Sequence, residues 1–203
     1  MIAAPEALAR LREGNRRFVA NQSMIIPLSS RARPDLLDKQ EPFAIVLGCS
    51  DSRVPAELVF DQGFGDLFVI RVAGNIVAPS QIGSIEFAAS RFHTRLVVVL
   101  GHSQCGAITA TLEDLLGQAT NESRNLRSIV DRVRPSVEPL LNGHRDDMEF
   151  LLHEAMRANV RASVSQLRHG SELLEELIQQ NGLWIVGAEY SLETGVVTFL
   201  DPE

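Results

Sequence analysis

Three short, uninterrupted apolar runs stand out along the chain: Phe43-Ala44-Ile45-Val46-Leu47, Leu67-Phe68-Val69-Ile70 and Leu96-Val97-Val98-Val99-Leu100. Runs of this length predict strands, and the lack of polar alternation predicts strands covered on both faces. Gly48 and Gly101 end the first and third. Between the second and third, Ile82, Ile85 and Phe87 mark a helix over about 80–92, and a further helix follows Cys105 with Ile108, Leu112, Leu115 and Leu116 as its apolar stripe. Strands alternating with helices predict βαβ units and a parallel sheet. Upstream, Leu8, Leu11 and Phe18 recur near helical spacing over 5–20, with Arg10, Arg12, Arg16 and Arg17 on the other faces. Residues 21–42 carry Pro27, Pro34, Pro42 and a Ser-Ser pair and read as an irregular arm. The stretch 122–181 reads as mostly helical, with breaks near Pro135, Pro139 and Gly143 and again at His169-Gly170. The runs Leu183 to Val186 and Val196 to Leu200, joined by Glu193-Thr194-Gly195, predict an antiparallel hairpin at one edge of the sheet. The expected fold is α/β: a central, mostly parallel sheet of about four strands plus an antiparallel C-terminal edge strand, flanked by helices, with an N-terminal helical arm. Residues 1–203 are expected to form a single domain, with 1–42 as its N-terminal helix and arm.

Composition narrows the function classes. The chain has 203 residues, 45% hydrophobic and 22% charged, with a formal net charge of −7. These are the proportions of a globular chain that buries roughly 70% of its unfolded surface and needs no disulfide staples. A nucleic-acid binder would want a basic face and a peripheral membrane binder a basic amphipathic helix, and neither is favoured. No signal peptide is visible, and the longest apolar run is far too short to span a bilayer. The expectation is a cytoplasmic protein, in which two cysteines, Cys49 and Cys105, serve a metal or catalysis rather than a bridge.

The two strand ends echo each other. Ile45-Val46-Leu47-Gly48-Cys49-Ser50 and Val98-Val99-Leu100-Gly101-His102-Ser103 each run from a buried strand through Gly to a metal-capable side chain and then Ser. Sites in open α/β sheets form beyond the carboxyl ends of strands, so neighbouring strands here would bring Cys49 and His102 together. His102 and Cys105 lie three apart at the entry to a helix, where the dipole favours a thiolate. Two thiolates and an imidazole suit Zn²⁺, and three protein ligands with one open position distinguish a catalytic zinc from a structural one. Asp51 has two options. It can complete the metal's coordination, or it can be held by Arg53 in a bidentate pair and leave the fourth position to water. Taken singly, each residue has a plainer explanation: a buried small thiol, a core histidine, an exposed ion pair. Their joint placement at matching strand ends favours the metal.

Cys49-Ser50-Asp51-Ser52-Arg53 together with Gly101-His102-Ser103-Gln104-Cys105-Gly106 resembles the β-class carbonic anhydrases. Arg71-Val72-Ala73-Gly74-Asn75 and Gly83-Ser84-Ile85-Glu86-Phe87 match that family's intervening segments, and the likeness runs from about Leu11 to Leu200. The resemblance implies one Zn²⁺ per subunit on Cys49, His102 and Cys105, and a catalytic dyad of Asp51 and Arg53, with Asp51 able to take the fourth zinc position in a closed form. It implies substrate contacts from Gln40, nine residues before Cys49, from Phe68, and from Gly106 through its backbone N–H. Phe87 stands where many members carry Tyr and Ala73 where many carry Val. In the family, Gln40 and Phe68 would face the zinc of a neighbouring subunit, so self-association as a dimer or a tetramer is implied. A regulated branch keeps a second bicarbonate pocket built on a Trp, an Arg and a Tyr. Here Val46 and Val186 stand at the first and last of these positions and only Arg71 is kept, so that regulation is not expected.

The function implied is zinc-dependent, reversible hydration of carbon dioxide to bicarbonate and a proton, the CO2 lying near Phe68 and Phe87. Two alternatives stand beside it: hydrolysis of carbon disulfide or carbonyl sulfide on the same fold, and a non-catalytic structural zinc protein with Asp51 permanently on the metal.

Overall fold

The computed structural model describes residues 2–24, 37, 39–118, 123–141 and 147–200. Helix α1 (Ala4–Val19) opens the chain. Then come β1 (Ala44–Gly48), the short α2 (Ala56–Val59), β2 (Leu67–Arg71), a 3₁₀ turn at Ala73–Asn75, α3 (Pro79–Arg91) and β3 (Leu96–His102). Helices α4 (Gly106–Leu115), α5 (Arg124–Val137), α6 (Met148–His169) and α7 (Glu172–Asn181) follow, and β4 (Trp184–Tyr190) and β5 (Val197–Phe199) close the fold. Of the expected irregular arm, residues 25–36 and 38 lie outside the described residues, as does the expected break at Gly143.

The sheet order is β2-β1-β3-β4-β5. The first four strands run parallel and β5 pairs antiparallel to β4. The central strands are buried along their whole length, as their continuous apolar runs require. Period-two alternation divides their side chains between two cores. Ile45, Leu47, Val97, Val99 and Ile185 face the layer that holds α3 to α7. Ala44, Val46, Leu96, Val98, Leu100, Val186 and Ala188 face α1 and α2. Val46, Val98 and Val186 sit side by side in register, an apolar row across the three central strands.

Two sequence expectations change. Pro135 does not break its helix; it lies in the last turn of α5, two residues from the end, where its ring removes a single backbone bond. Pro139 sits in the 3₁₀ turn Glu138–Leu141 that follows. Strand β4 runs four residues past Val186. Glu189, which interrupts the apolar pattern, is buried because His153 and Arg157 of α6 hold its two carboxylate oxygens at 3.0 and 2.8 Å. That extension matters, because the end of β4 supports the site.

Helix α1 begins with Pro5 at its start and Glu6 in its first turn and ends with Arg16 and Arg17, charges that complement the helix dipole. It lies close on the segment after α2. Asn15, buried, donates to the carbonyls of Val59 (3.0 Å) and Gly195 (2.9 Å) and accepts from Val197 N–H (2.9 Å), tying the helix to both. Among the described residues no helix is long and apolar enough to cross a membrane.

Gly14 is where α1 comes nearest its neighbour: a Cβ there would fall inside the van der Waals envelope of the Phe60 carbonyl oxygen. Helix propensity alone makes Gly14→Ala stabilising by about 1 kcal/mol. Forcing α1 off the backbone of Phe60 opposes that with an overpacking penalty of about 1–3 kcal/mol or more. The net expectation is a loss of stability, read as a lower urea midpoint at unchanged slope. A gain would show that α1 does not sit as close as described.

Candidate metal centre

The connection from β1 leads outward to β2, and the chain then crosses back to β3 on the other side of β1. Strand order therefore reverses between β1 and β3, and their carboxyl ends open the crevice where α/β sheets bind ligands. Gly48 pairs with Leu100 in register, so Cys49 leaves β1 at the level where His102 ends β3. Cys105 is the N-cap of α4, at the positive end of that helix.

Cys49, His102 and Cys105 are all buried, and their ligand atoms lie within 4.8 Å of one another. The two sulfurs are 3.9 Å apart. Zn–S bonds of about 2.3 Å at a tetrahedral centre put two sulfurs about 3.8 Å apart. His102 Nδ1–H donates to the Ser103 carbonyl (2.9 Å), and Nε2 is buried with no hydrogen-bond partner among the described residues. A ring held by one nitrogen on a backbone carbonyl, with the other orphaned beside two thiols, is the usual arrangement of a metal-binding histidine. Both cysteines are free. The residues fit zinc.

The electrostatics agree. Cys49 is pushed down to about 4, first because the Cys105 thiol donates to its sulfur, then through His102 and the backbone N–H groups of Gly74 and Asp51, against the effect of burial. Gly74 N–H stands 3.4 Å from that sulfur. Cys105 is pushed up, because its proton is shared with the Cys49 thiolate and its site is desolvated. The Cys49 thiol is thus poised to ionise beside Cys105, a donor pair that a divalent cation bound here would hold as thiolates.

Asp51 stands outside this trio. Arg53 holds it three times over: Nε to Oδ1 at 2.9 Å, Nη2 to Oδ2 at 2.8 Å, and its own backbone N–H to Oδ1 at 2.9 Å. These bonds keep the carboxyl well below the usual carboxylate range. Asp51 Oδ2 is 4.0 Å from His102 Nε2, at the rim of the cluster. Of the two arrangements open to Asp51, the structure shows the one held by arginine.

The pocket residues are spread more widely. Gly106 is the first residue of α4, next to Cys105. Phe68 pairs with Ile45 in register, so Cys49 lies four residues further along β1, about 13 Å at about 3.3 Å per residue. Phe68, Phe87 and Phe92 form a triangle of rings with centroids 5.5 to 6.3 Å apart, and Phe87 is exposed. Gln40 is exposed and precedes β1, at the end away from Cys49. Within one chain, Phe68 and the Phe87 ring packed on it therefore stand well away from the sulfurs.

The supporting contacts of several residues escaped the sequence reading. Arg71 donates to the carbonyls of Cys49 (3.0 Å) and Asp51 (2.6 Å), fixing the loop after β1. Ser103 anchors the His102–Cys105 loop to the end of β4, donating from its N–H to the Tyr190 carbonyl (3.0 Å) and accepting Leu192 N–H on Oγ (2.9 Å). Gln104 takes a left-handed φ of 57° within that loop. The repeated Ser after each metal-capable residue was visible, but its bonding partners come from distant elements.

A family model described as carbonic anhydrase matches residues 44–197. Carbonic anhydrase 2 of Mycobacterium tuberculosis (strain CDC 1551 / Oshkosh) is 40% identical over 191 residues, covering 94% of this chain and 90% of that protein. The carbonic anhydrase of Mycolicibacterium smegmatis is 40% identical over 187 residues, 92% of this chain and 88% of its own. Among solved structures, the β-carbonic anhydrase CcaA superposes with a TM-score of 0.74 at 26% identity, covering 96% of this chain and 95% of that one. The β-carbonic anhydrase CafA of Aspergillus fumigatus gives 0.68 at 26% identity, with 97% and 90% covered. With its sheet order, its buried cysteine–histidine trio and these matches in agreement, the chain belongs to the β-carbonic anhydrases.

Proposed function

We propose that the protein catalyses the zinc-dependent, reversible hydration of carbon dioxide to bicarbonate and a proton, with one Zn²⁺ per subunit on Cys49, His102 and Cys105. The observation that carries this reading is the pairing of three buried soft donors within 4.8 Å with a carboxylate that Arg53 keeps off them. A structural zinc would have Asp51 among its ligands. A zinc ion at this site supplies the Lewis acidity that makes water a nucleophile near neutral pH. Two thiolates neutralise much of its charge, so the surrounding residues carry more of the work. Asp51, ionised and fixed in direction, accepts a hydrogen bond from the reacting water. Arg53 aims the carboxylate and prevents it from swinging onto the metal. Gly106 offers a backbone N–H at the start of α4, suited to a developing negative oxygen.

Gln40, Phe68 and Phe87 complete this site from a second copy of the chain. Gln40 precedes β1, Phe68 lies near the amino end of the neighbouring β2, and Phe87 of α3 packs on Phe68, all away from the carboxyl ends of β1 and β3 that carry the ligands, so a two-fold pairing can place one protomer's rings beside its partner's zinc. The assembly proposed is a homodimer, which can pair into a tetramer.

Three outcomes are expected. Purified protein contains one zinc per chain and hydrates CO2 in a stopped-flow indicator assay. Turnover of carbon disulfide or carbonyl sulfide in place of CO2 would move the reading to that hydrolase. Asp51→Ala keeps its zinc by elemental analysis and loses turnover by about 10²-fold or more, while Cys105→Ala loses the metal itself. In pH-rate profiles, activity rises from neutral to alkaline pH with no inflection from Asp51. Its folded pKa is lowered, so it is already charged throughout that range and would protonate only in strong acid.

A further inference from the structure

Helix α6 packs on the sheet face that holds Cys49, and its buried stripe reads Leu151, Ala155, Met156, Asn159, Val160, Ser163, Val164 and Leu167. Two polar residues, one turn apart, interrupt it. Asn159, 3% exposed, donates from Nδ2 to the Gly74 carbonyl at 2.8 Å. Ser163 donates from Oγ to the Asn75 carbonyl at 3.2 Å. Both bonds reach the same short turn after β2, 85 and 88 residues away in sequence.

That turn is unusual in its backbone. Gly74 and Asn75 take φ of 70° and 43°, both left-handed. A Cβ on Gly74 would come within 2.9 Å of Ala107 Cβ, so only glycine fits between the turn and α4. Glycine is also the residue least able to hold a single conformation by itself. Yet Gly74 N–H must keep its direction, because it donates to Cys49 Sγ. One end of Gly74 thus touches a metal-binding sulfur, and its other end is held by Asn159.

We propose that Asn159 is a positioning residue for the metal centre. By holding the Gly74 carbonyl it fixes the turn whose N–H donates to Cys49 Sγ, and so limits how much charge that sulfur passes to the metal. The inference rests on the zinc reading above, with Cys49 as a ligand. An N–H···S bond draws electron density from a thiolate. With two thiolates at one ion, this keeps the metal more acidic than bare sulfurs would. Side chains that orient ligands from outside the coordination sphere typically change metal affinity or activity about 10–100-fold when removed.

The test compares wild type, Asn159→Ala, Asn159→Leu and Val164→Ala, each stripped of metal and reloaded with Co²⁺. Val164 lies on the same helix, buried over Gly187, and its truncation loosens α6 without touching the turn. Asn159→Leu keeps the site filled should the alanine variant fail to fold. The expected result is a sulfur-to-cobalt charge-transfer band at lower energy in the Asn159 variants, with Val164→Ala at the wild-type position. Zinc affinity, from competition with a chelator, falls about tenfold in the Asn159 variants only. An unmoved band in the Asn159 variants overturns the proposal whatever the affinity does, and so does an equal shift in Val164→Ala. A wild type that takes up cobalt without any sulfur charge-transfer band refutes the zinc reading itself, which separates the two failures.

Discussion

Between Ile45 and Gly48 the two central strands run parallel and in register with Val97 to Leu100, so both chains leave the sheet at one level. From that pairing follow the 3.9 Å between the sulfurs and the ring nitrogen beside them. A slip of one residue would turn every side chain to the opposite face, placing Cys49 against α1 rather than over the crevice. The register is held by two complete cores, one on each face, so the metal centre inherits the rigidity of the most buried part of the protein. This is why no ligand needs to come from a flexible segment: two sit at strand ends and the third at a helix start.

Gathering polar atoms in such a place carries a penalty, which the structure offsets with backbone donors and acceptors. Cys49 receives the Gly74 N–H, His102 is oriented by the Ser103 carbonyl, and the loop carrying Asp51 is held through its own carbonyls by Arg71. Among the described residues, one side-chain atom at the centre, His102 Nε2, has no hydrogen-bond partner, and it is the atom that a metal here would satisfy. The Asp51–Arg53 pair works differently. Arg53 is half exposed, and pairs of this kind add little stability. Its importance is directional: three bonds from one residue fix a carboxylate that would otherwise be free to close the site. A weak interaction can therefore decide between a catalytic and a structural metal.

The strands and most helices were legible because burial on two faces leaves continuous apolar runs that polar residues cannot imitate. The trio Cys49, His102 and Cys105 was legible because both strand ends carry the same Gly-then-ligand-then-Ser form and Cys105 follows His102 by three residues at a helix start. Where the reading fell short, the missing information was nonlocal. The run that ends at Val186 in the sequence continues to Tyr190 because His153 and Arg157 hold the Glu189 carboxylate, and Pro135 looks like a helix break until its position in the last turn is known. The distance between Phe68 and Cys49 depends on which residues pair across β1 and β2, which no local pattern encodes.

The sequence by itself therefore determined the layers of the fold, the identity of the metal-binding atoms and the chemistry they suit, since these depend on local hydrophobic period and on side-chain type. Tertiary structure alone decided three things: that Asp51 turns to Arg53 and away from the sulfurs, that the turn at Gly74 is gripped from α6, and how far Phe68 stands from Cys49 along the paired strands. Each of these is a matter of direction and distance between elements far apart in the chain, and such geometry exists only once the sheet and helices have packed.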